Sequence, residues 1–213
     1  MATSRPPSWV RATGVAFVLL ALAAVPTLVA AHSSRARVAS GGARPARTGQ
    51  AVNFSWLHPA PAPAGWARTT TATSGATLFY PPAWSPIPGD SGTVTVSLRD
   101  RGGLYAGYLN VTPQQGAEQL HGWAAFRTNR NSEDGDGHVR IIAAAEGLRF
   151  RNARGSCVID DYLSKVGSHP YREIACIISG HRHTDVLIGA ALTFDWRTLA
   201  GTLERAASSL FQR

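Results

Sequence analysis

Four successive segments in the second half of the chain carry β-strand patterns, and a short glycine-containing stretch separates each segment from the next. They cover residues 138–150, 156–165, 170–179 and 184–194. Consecutive strands joined by short turns pair side by side and run in opposite directions. We therefore predict a four-stranded antiparallel meander in this half of the chain.

An amphipathic helix is predicted after the last of these strands. Asp195 stands at the N-cap position, where a short polar side chain favours the start of a helix. The apolar residues that follow recur at helical spacing and are Leu199, Leu203, Ala206 and Leu210. This apolar stripe needs a sheet to cover, and the small residues 189–191 of the preceding strand permit a close approach.

A further hairpin is predicted in the first half of the folded part. Residues 93–98 alternate apolar and polar side chains, residues 99–103 form a glycine-containing loop, and residues 104–111 return. The expected cross-strand pairs join Leu98 to Leu104, Val96 to Ala106 and Val94 to Tyr108. In this register the six side chains form one continuous apolar face.

Start signals for a second helix come directly after that hairpin. Thr112 fits the N-cap, Pro113 the first helical position and Gln115 the third position of a capping box. The helix is predicted to run to about Arg127. Together these elements predict an α+β fold over residues 66–213, a largely antiparallel β-sheet with helices packed on it.

The two cysteines lie on neighbouring predicted strands. A hairpin that is symmetric about residues 166–167 places Cys157 directly opposite Cys176, at the short separation that a disulfide requires. The same register creates one opposite-charge pair and one like-charge pair, Asp161–Arg172 and Asp160–Glu173. The like-charge pair argues against this register, whereas the other pairs favour it. We predict a structural disulfide, with two buried free thiols as the alternative.

Residues 1–31 have the composition of a targeting segment. Two arginines and no acidic residue precede an apolar run over residues 14–31. The run fits a signal peptide cleaved after Ala31 and equally fits an uncleaved membrane anchor. Residues 32–65, rich in Ala, Pro, Gly, Ser and Arg, are predicted to form a linker. In this linker, Phe54 and Trp56 could dock on the domain or lie at the bilayer interface.

Two opposing signals bear on which side of the membrane the folded domain lies. Four arginines after the apolar run would be held in the cytosol by the positive-inside rule. The cysteine pair and the Pro/Ala-rich linker favour export. We expect an extracytoplasmic domain, either anchored in the cell membrane or secreted.

The net charge of +8 lies mostly outside the folded part. Residues 1–50 contain six arginines and no acidic residue, so the domain itself is nearly neutral. A nucleic-acid-binding module carries a basic face on its folded part. The charge distribution therefore argues against nucleic acid as a partner.

Candidate catalytic and metal-binding groups are sparse. The sequence has no nucleophile elbow, P-loop or zinc-protease motif. His181 and His183 alternate near His169, without a well-placed third ligand, and a solvated turn explains them equally. Residues 132–143 resemble a calcium-binding loop but end in Ala143 instead of a bidentate Glu. We predict no catalytic residue, no metal site and no cofactor.

Two groups of side chains are candidate contact sites. Arg149, Arg151 and Arg154 lie near a strand end and could meet an acidic partner or lipid head groups, or be scattered surface arginines. The aromatic residues of the domain are Tyr80, Trp84, Tyr105, Tyr108, Trp123, Tyr162, Tyr171 and Trp196. Most such residues pack in a core. If several of them line one cavity between helix and sheet, that cavity is the expected binding site.

The element order and two short motifs resemble the PsbP-like family of α/β/α sandwiches. The motifs are LFYPPAW at residues 78–84 and a closing helix that begins at Asp195–Trp196 and ends in SSLF at residues 208–211. The resemblance covers roughly residues 70–213. Lys165 is the only lysine, an arginine bias that suits the GC-rich genomes of actinobacteria, whose family members are typically exported or membrane-tethered.

The resemblance implies binding or assembly rather than catalysis, because family members either lack an assigned enzyme activity or act as protein-binding modules. It carries over no functional residue, and the cysteine pair is not part of the family's general pattern. We expect a non-enzymatic module of the cell envelope that binds an envelope protein. A carrier of a small apolar ligand, an enzyme of unrecognised type and a purely structural envelope component are the alternatives.

Overall fold

The computed structural model describes residues 53–213, which contain a seven-stranded antiparallel sheet. The strands are β1 (Ala67–Thr70), β2 (Thr77–Tyr80), β3 (Ser85–Ile87), β4 (Val94–Arg99), β5 (Tyr105–Pro113), β6 (Gly137–Phe150), β7 (Ala153–Leu163), β8 (Pro170–Ser179) and β9 (Thr184–Leu192). The helices are α1 (Trp123–Asp134) and α2 (Trp196–Ser209). Strands β1 and β2 form a separate pair, and the large sheet has the order β3-β4-β5-β9-β8-β7-β6.

The predicted meander is confirmed. Strands β6 to β9 pair in sequence order, and β8 covers the predicted residues. Strand β9 then pairs with β5, which places β9 at the centre of the sheet and joins the two halves of the chain. A Cβ atom on Gly189 would lie 3.1 Å from the Leu109 side chain and 3.4 Å from that of Leu203. This small residue therefore permits the close approach of α2 that the sequence predicts.

The two helices cover opposite sides of the sheet. Helix α2 starts after Asp195, as predicted, and its Leu199 and Leu203 pack with Cys157 and Ile159 of β7; we call this side the α2 face. Helix α1 covers the other side, the α1 face, where Trp123 packs with apolar residues of β7, β8 and β9. Because side chains alternate along a strand, each central strand contributes to both faces. The α+β fold class is confirmed.

The β4–β5 hairpin is present, but its predicted register is wrong. Val96 pairs with Leu109 instead of Ala106, a shift of three positions. The shift arises at the turn, where Asp100 accepts hydrogen bonds from the loop backbone, and at a bulge in β4. An odd shift exchanges the two faces of a strand, so Tyr108 moves from the predicted apolar face to the α1 face.

The helix predicted over residues 112–127 begins later than expected. Residues 112–113 continue strand β5 and pair with β9. The ladder with β9 satisfies the backbone there, which outweighs the local capping signals. Helix α1 starts at Trp123, and Gly122 before it and Gly135 after it adopt positive φ angles of 72° and 99°.

The hairpin of β7 and β8 has the predicted register. Cys157 lies opposite Cys176, and the two form a disulfide with Cα atoms 4.1 Å apart. The like-charge opposition of Asp160 and Glu173 is also present. This pair, which counted against the register, turns out to be part of a buried ion cluster.

The described part of the predicted linker packs on the domain. Phe54 and Leu57 are buried in the same core cluster as the α2 face, and Trp56 packs against it. The Ala60 N–H donates a hydrogen bond to the Ser208 carbonyl at 3.0 Å. The domain therefore extends further toward the N-terminus than the boundary predicted at residue 66.

Residues 1–52 lie outside the described residues. The targeting segment predicted over residues 1–31 and the arginine-rich part of the linker thus stay predictions. Among residues 53–213, neither helix is long and apolar enough to span a bilayer.

Candidate functional site

Two carboxyl groups lie side by side on the α1 face. Asp160 on β7 and Glu173 on β8 are directly opposed, and each residue has 0% solvent exposure. Two ionised carboxylates buried at this spacing would repel each other strongly. Such a pair needs a counter-charge, a proton or both.

Helix α1 supplies the counter-charge. Arg127 donates two hydrogen bonds to Glu173, from Nε to Oε1 at 2.7 Å and from Nη2 to Oε2 at 3.0 Å. One turn further on, the Asn131 amide nitrogen lies 3.4 Å from Glu173 Oε1 and 3.5 Å from Asp160 Oδ2. The bidentate geometry matches the planar guanidinium to the carboxylate. Helix α1 is thereby held over β7 and β8 by polar groups.

The second carboxyl group keeps its proton. Burial, together with the negative charge of Glu173, raises the pKa of Asp160 to about 8. At neutral pH the cluster therefore contains one guanidinium, one carboxylate and one carboxylic acid. The charges balance, which explains how the sheet register tolerates the opposed acids.

A cavity of about 530 Å³ lies next to this cluster, beyond the C-terminal end of α1. The β4–β5 loop, the β7–β8 turn and the segment after α1 surround it. Its lining residues are Gly103, Leu104, Tyr105, Tyr108, Asp136, Tyr162, Ser164, Lys165, Val166, His169 and Tyr171. The volume falls within the range of small-molecule sites, about 300 to 1,000 Å³.

Four tyrosines form much of the lining of the cavity. Tyr162 and Tyr171 stack with ring centroids 5.8 Å apart, and Tyr108 meets Tyr171 edge-on at 6.3 Å. The Tyr171 hydroxyl donates to the backbone carbonyl of Tyr105 at 2.7 Å. Tyr162 and Tyr171 are only 7% and 6% exposed, so these two rings form a packed inner wall of the cavity and their positions are fixed. Several aromatic residues line one cavity, as the sequence-based condition requires, but the cavity lies among loops beyond the end of α1 instead of between a helix and the sheet.

A hydroxyl pair adds a polar group to this aromatic surface. The hydroxyl oxygens of Tyr108 and Tyr162 lie 3.0 Å apart and share one hydrogen bond. Burial raises the pKa of both hydroxyls, and the Glu173 charge raises it further, so both keep their protons. One O–H group of the pair is left to donate to an oxygen of a ligand.

The rim of the cavity is the β7–β8 turn. The Ser164 hydroxyl donates to the Val166 carbonyl and accepts the His169 N–H, so its hydrogen bonds serve the turn. The Lys165 N–H donates to Asp136 Oδ1 at 2.8 Å, which ties the turn to the segment after α1. Val166 is 81% exposed. The turn thus presents one apolar side chain to solvent on a braced backbone.

The predicted arginine patch lies elsewhere. Arg154 is at the start of β7, whereas the cavity residue Tyr162 is near its end. Arg149 is paired directly opposite Arg154, and the Arg151 guanidinium lies 5.5 Å from the centre of the Phe211 ring. The structure keeps the three arginines together at one sheet end, away from the tyrosines.

The histidines considered for a metal site are separated. His169 precedes β8 and lines the cavity, whereas His181 and His183 follow β8 in an exposed turn at its other end. Within residues 53–213, no group of three or more His, Cys, Asp or Glu side chains is arranged to hold a metal ion.

Sequence reasoning named the four tyrosines but missed the buried ion cluster. The signal was available: the cysteine register placed Asp160 against Glu173, and two buried acids require a cation nearby. Arg127 was then expected at the end of a helix that begins much earlier. Its true place, within α1 and over the acids, depends on where that helix starts.

No protein-family model and no curated protein matches the sequence. Among solved structures, the chain is similar to cyanobacterial PsbP (CyanoP) from Synechocystis sp. PCC 6803, with a TM-score of 0.50, 17% identity and coverage of 71% of this chain and 94% of that one. It also matches PA94 of Pseudomonas aeruginosa, a protein of unknown function (TM-score 0.46, 12% identity, coverage 70% and 97%). LpqN of Mycobacterium tuberculosis, which is involved in cell envelope biogenesis, is a weaker match (TM-score 0.37, 11% identity, coverage 71% and 80%).

At these identities the comparison concerns the fold alone. The similarity to CyanoP confirms a PsbP-like arrangement of sheet and helices.

Proposed function

We propose that this protein is a non-enzymatic, extracytoplasmic binding module of the cell envelope. In this proposal the tyrosine-lined cavity receives an apolar or aromatic group of a partner protein. The observation that carries the proposal is the convergence of Tyr105, Tyr108, Tyr162 and Tyr171 on one cavity of about 530 Å³. Tyrosine is enriched at binding surfaces because it combines a large apolar ring with a polar end.

The exposed rim supports a protein partner over an enclosed small ligand. Val166 is exposed to solvent, and Leu104, from the β4–β5 loop, lines the same cavity. A partner side chain could enter between them while the surrounding surfaces make contact. Apolar anchors that fill a pocket at the centre of a contact area dominate binding energy at protein interfaces.

The placement of the acidic groups supports binding over catalysis. Asp136, the one acidic side chain among the lining residues, accepts the Lys165 N–H and so braces the β7–β8 turn. Asp160 and Glu173 are fully buried, and neither lines the cavity. The hydroxyl of Ser164 is occupied by the turn that it holds together. A catalytic acid or nucleophile must reach the reacting atoms, and these groups serve the framework of the site.

Location outside the cytoplasm rests on the disulfide and on the targeting segment that the sequence predicts. Disulfides persist in oxidising compartments and are rare in the cytosol. The Cys157–Cys176 bridge is part of the central sheet, where both residues are buried. An oxidising compartment is therefore the setting in which this domain is most stable.

Site-specific photo-crosslinking in intact envelopes tests the proposal. A photoreactive phenylalanine analogue replaces Val166 in the full chain, and the matched control replaces Phe194, which is 70% exposed and does not line the cavity. We expect a discrete protein adduct from position 166 only. The adduct should disappear when Leu104→Trp fills the cavity and persist in Phe194→Trp.

Two results would change the assignment. An adduct whose mass increases by only a few hundred daltons would identify a small-ligand carrier instead of a protein-binding module. Equal adducts at positions 166 and 194, or adducts that survive Leu104→Trp, would show that the cavity is not the binding site.

A further inference from the structure

The β6–β7 hairpin carries an arginine pair that is unfavourable for folding. Arg149 on β6 and Arg154 on β7 are directly opposed across the sheet, and both are exposed. Like charges at directly opposed positions destabilise a strand pair. Arg151, in the tight turn between them, adds a third positive charge.

No acidic side chain of the described residues compensates these charges. The ion pairs formed within residues 53–213 do not include Arg149, Arg151 or Arg154. Glu146, on the same strand, instead accepts the Gly122 N–H at 2.8 Å and lies 3.2 Å from His121. Arg140, also on β6, shows the usual alternative, since it binds Asp161 at 2.9 Å. The hairpin end is therefore positively charged.

Arg149 and Arg151 line a concave surface, and Arg154 is paired opposite Arg149. A cleft of about 590 Å³ is lined by the turn residues 149–152 and by residues 59–61. The Arg151 guanidinium is held against the Phe211 ring and donates to the Ser209 carbonyl at 3.5 Å. A guanidinium that is already oriented loses less entropy when it binds an anion.

The segment that precedes the domain indicates which kind of anion the arginine cleft would meet. Residues 59–61 form one wall of this cleft, and the Ala60 N–H is bonded to Ser208. Toward the N-terminus, this same segment leads to 52 residues that include the apolar run 14–31 and four further arginines, Arg35, Arg37, Arg44 and Arg47. The cleft wall formed by residues 59–61 therefore lies within a few residues, along the chain, of the segment that connects the domain to the predicted membrane segment.

We infer that Arg149, Arg151 and Arg154 bind the phosphate groups of anionic lipids at the membrane surface. Guanidinium groups bind phosphate oxygens through paired, charge-assisted hydrogen bonds. Each basic residue near an anionic bilayer adds about fivefold to the affinity, since it contributes about 1 kcal/mol. The inference does not depend on what the tyrosine-lined cavity binds.

The binding mode also orients the domain. The arginines lie at the start of β7 and the cavity lies near its end, so contact through the arginines turns the cavity away from the lipid surface. The mouth of the cavity would then be accessible to a partner. The domain could hold this orientation even though the preceding linker is long.

Fluorescence of the full chain in vesicles tests the inference. The two native cysteines form the disulfide, so Pro61→Cys provides one thiol for an environment-sensitive dye beside the cleft, and Val166→Cys provides the control at the opposite end. Vesicles are phosphatidylcholine alone or with about 30 mol% phosphatidylglycerol. We expect a blue shift at position 61 only, only with phosphatidylglycerol, that weakens as NaCl rises from about 0.05 to 0.5 M.

Charge removal completes the test. Arg149→Gln with Arg154→Gln should abolish most of the shift, whereas Arg68→Gln with Arg101→Gln, two other exposed arginines, should leave it unchanged. The thermal unfolding temperature of the variant with Arg149→Gln and Arg154→Gln should not decrease, because the two substitutions remove a like-charge pair. A shift that survives in this variant, or that is equal in both lipid mixtures, would overturn the inference. An equal shift with inorganic phosphate in the absence of vesicles would identify a soluble phosphate ligand instead and also overturn it.

Discussion

Strands β7 and β8 present different chemistry to the two sides of the sheet. On the α2 face they contribute the disulfide of Cys157 and Cys176 together with aliphatic side chains. On the α1 face the same two strands contribute Asp160 and Glu173, and they also carry two of the four cavity tyrosines, Tyr162 and Tyr171. The first surface tolerates many apolar arrangements, whereas the second requires each polar group to meet its own partner.

The same contrast separates two neighbouring aspartates. Asp161 is reached by Arg172 at 2.6 Å and by Arg140 at 2.9 Å, and although burial raises its pKa, these hydrogen bonds outweigh burial and lower it. Asp160, one residue earlier, faces α1 and has a raised pKa. The two aspartates are adjacent in β7, so the opposite directions of their pKa shifts come from the face of the sheet that each side chain occupies. The α1 face is where the fold builds a specific geometry next to the candidate site.

The largest expected effect comes from removing the cation of the α1 face. Arg127→Met leaves the fully buried Glu173 without a counter-charge and should lower the free energy of unfolding by about 3 to 4 kcal/mol. Urea denaturation with the disulfide intact measures this change. Arg130→Met, on the same helix but in exposed pairs with Glu133 and Asp134, should cost less than about 0.5 kcal/mol. Similar losses in the two variants would contradict the assigned role of Arg127.

Removing the covalent link of the α2 face should have a slightly smaller effect. Cys157→Ala with Cys176→Ala should lower the free energy of unfolding by about 3 kcal/mol, mainly because the unfolded chain gains freedom. Urea denaturation again provides the measurement. Because the disulfide faces away from the cavity, the Val166 photo-adduct should be retained in this variant. Its loss would show that the two faces are more tightly coupled than their separate contacts indicate.

The smallest expected effect is a change in pH dependence. Unfolded Asp160 ionises near pH 4, but the folded protein keeps the proton up to about pH 8, so this residue makes the fold less stable as pH rises between those values. Asp160→Asn removes the ionisation while preserving shape. The stability of the variant relative to the parent should increase by about 2 kcal/mol from pH 6 to pH 8 and then level off. A difference that is flat with pH, or that decreases, would show that Asp160 is ionised in the folded state.

Local patterns predicted the elements whose backbone partners are neighbours in sequence. The meander and the register of Cys157 opposite Cys176 follow from the turns between consecutive strands, because a short turn limits the possible pairings. The closing helix after Asp195 was also correct, since its apolar stripe is continuous.

The predictions were wrong where pairing with a segment distant in sequence, or an irregular turn, determines the structure. Residues 112–113 carry helix-start signals, but β9, more than seventy positions later, pairs with them. A bulge in β4 and the hydrogen bonds of Asp100 shift the register of the hairpin. That shift, which no local alternation reveals, turns Tyr108 toward the cavity.

The sequence by itself therefore determined the fold class, the antiparallel meander and the cysteine pairing, because alternation and turn spacing act over short separations. It also identified the tyrosines and arginines as candidate contact residues. Only the tertiary structure decided that four tyrosines enclose one cavity and that Arg127 neutralises the opposed acids Asp160 and Glu173. The physical reason is that both features depend on the register of β5 and on the start of α1, which contacts between distant segments determine.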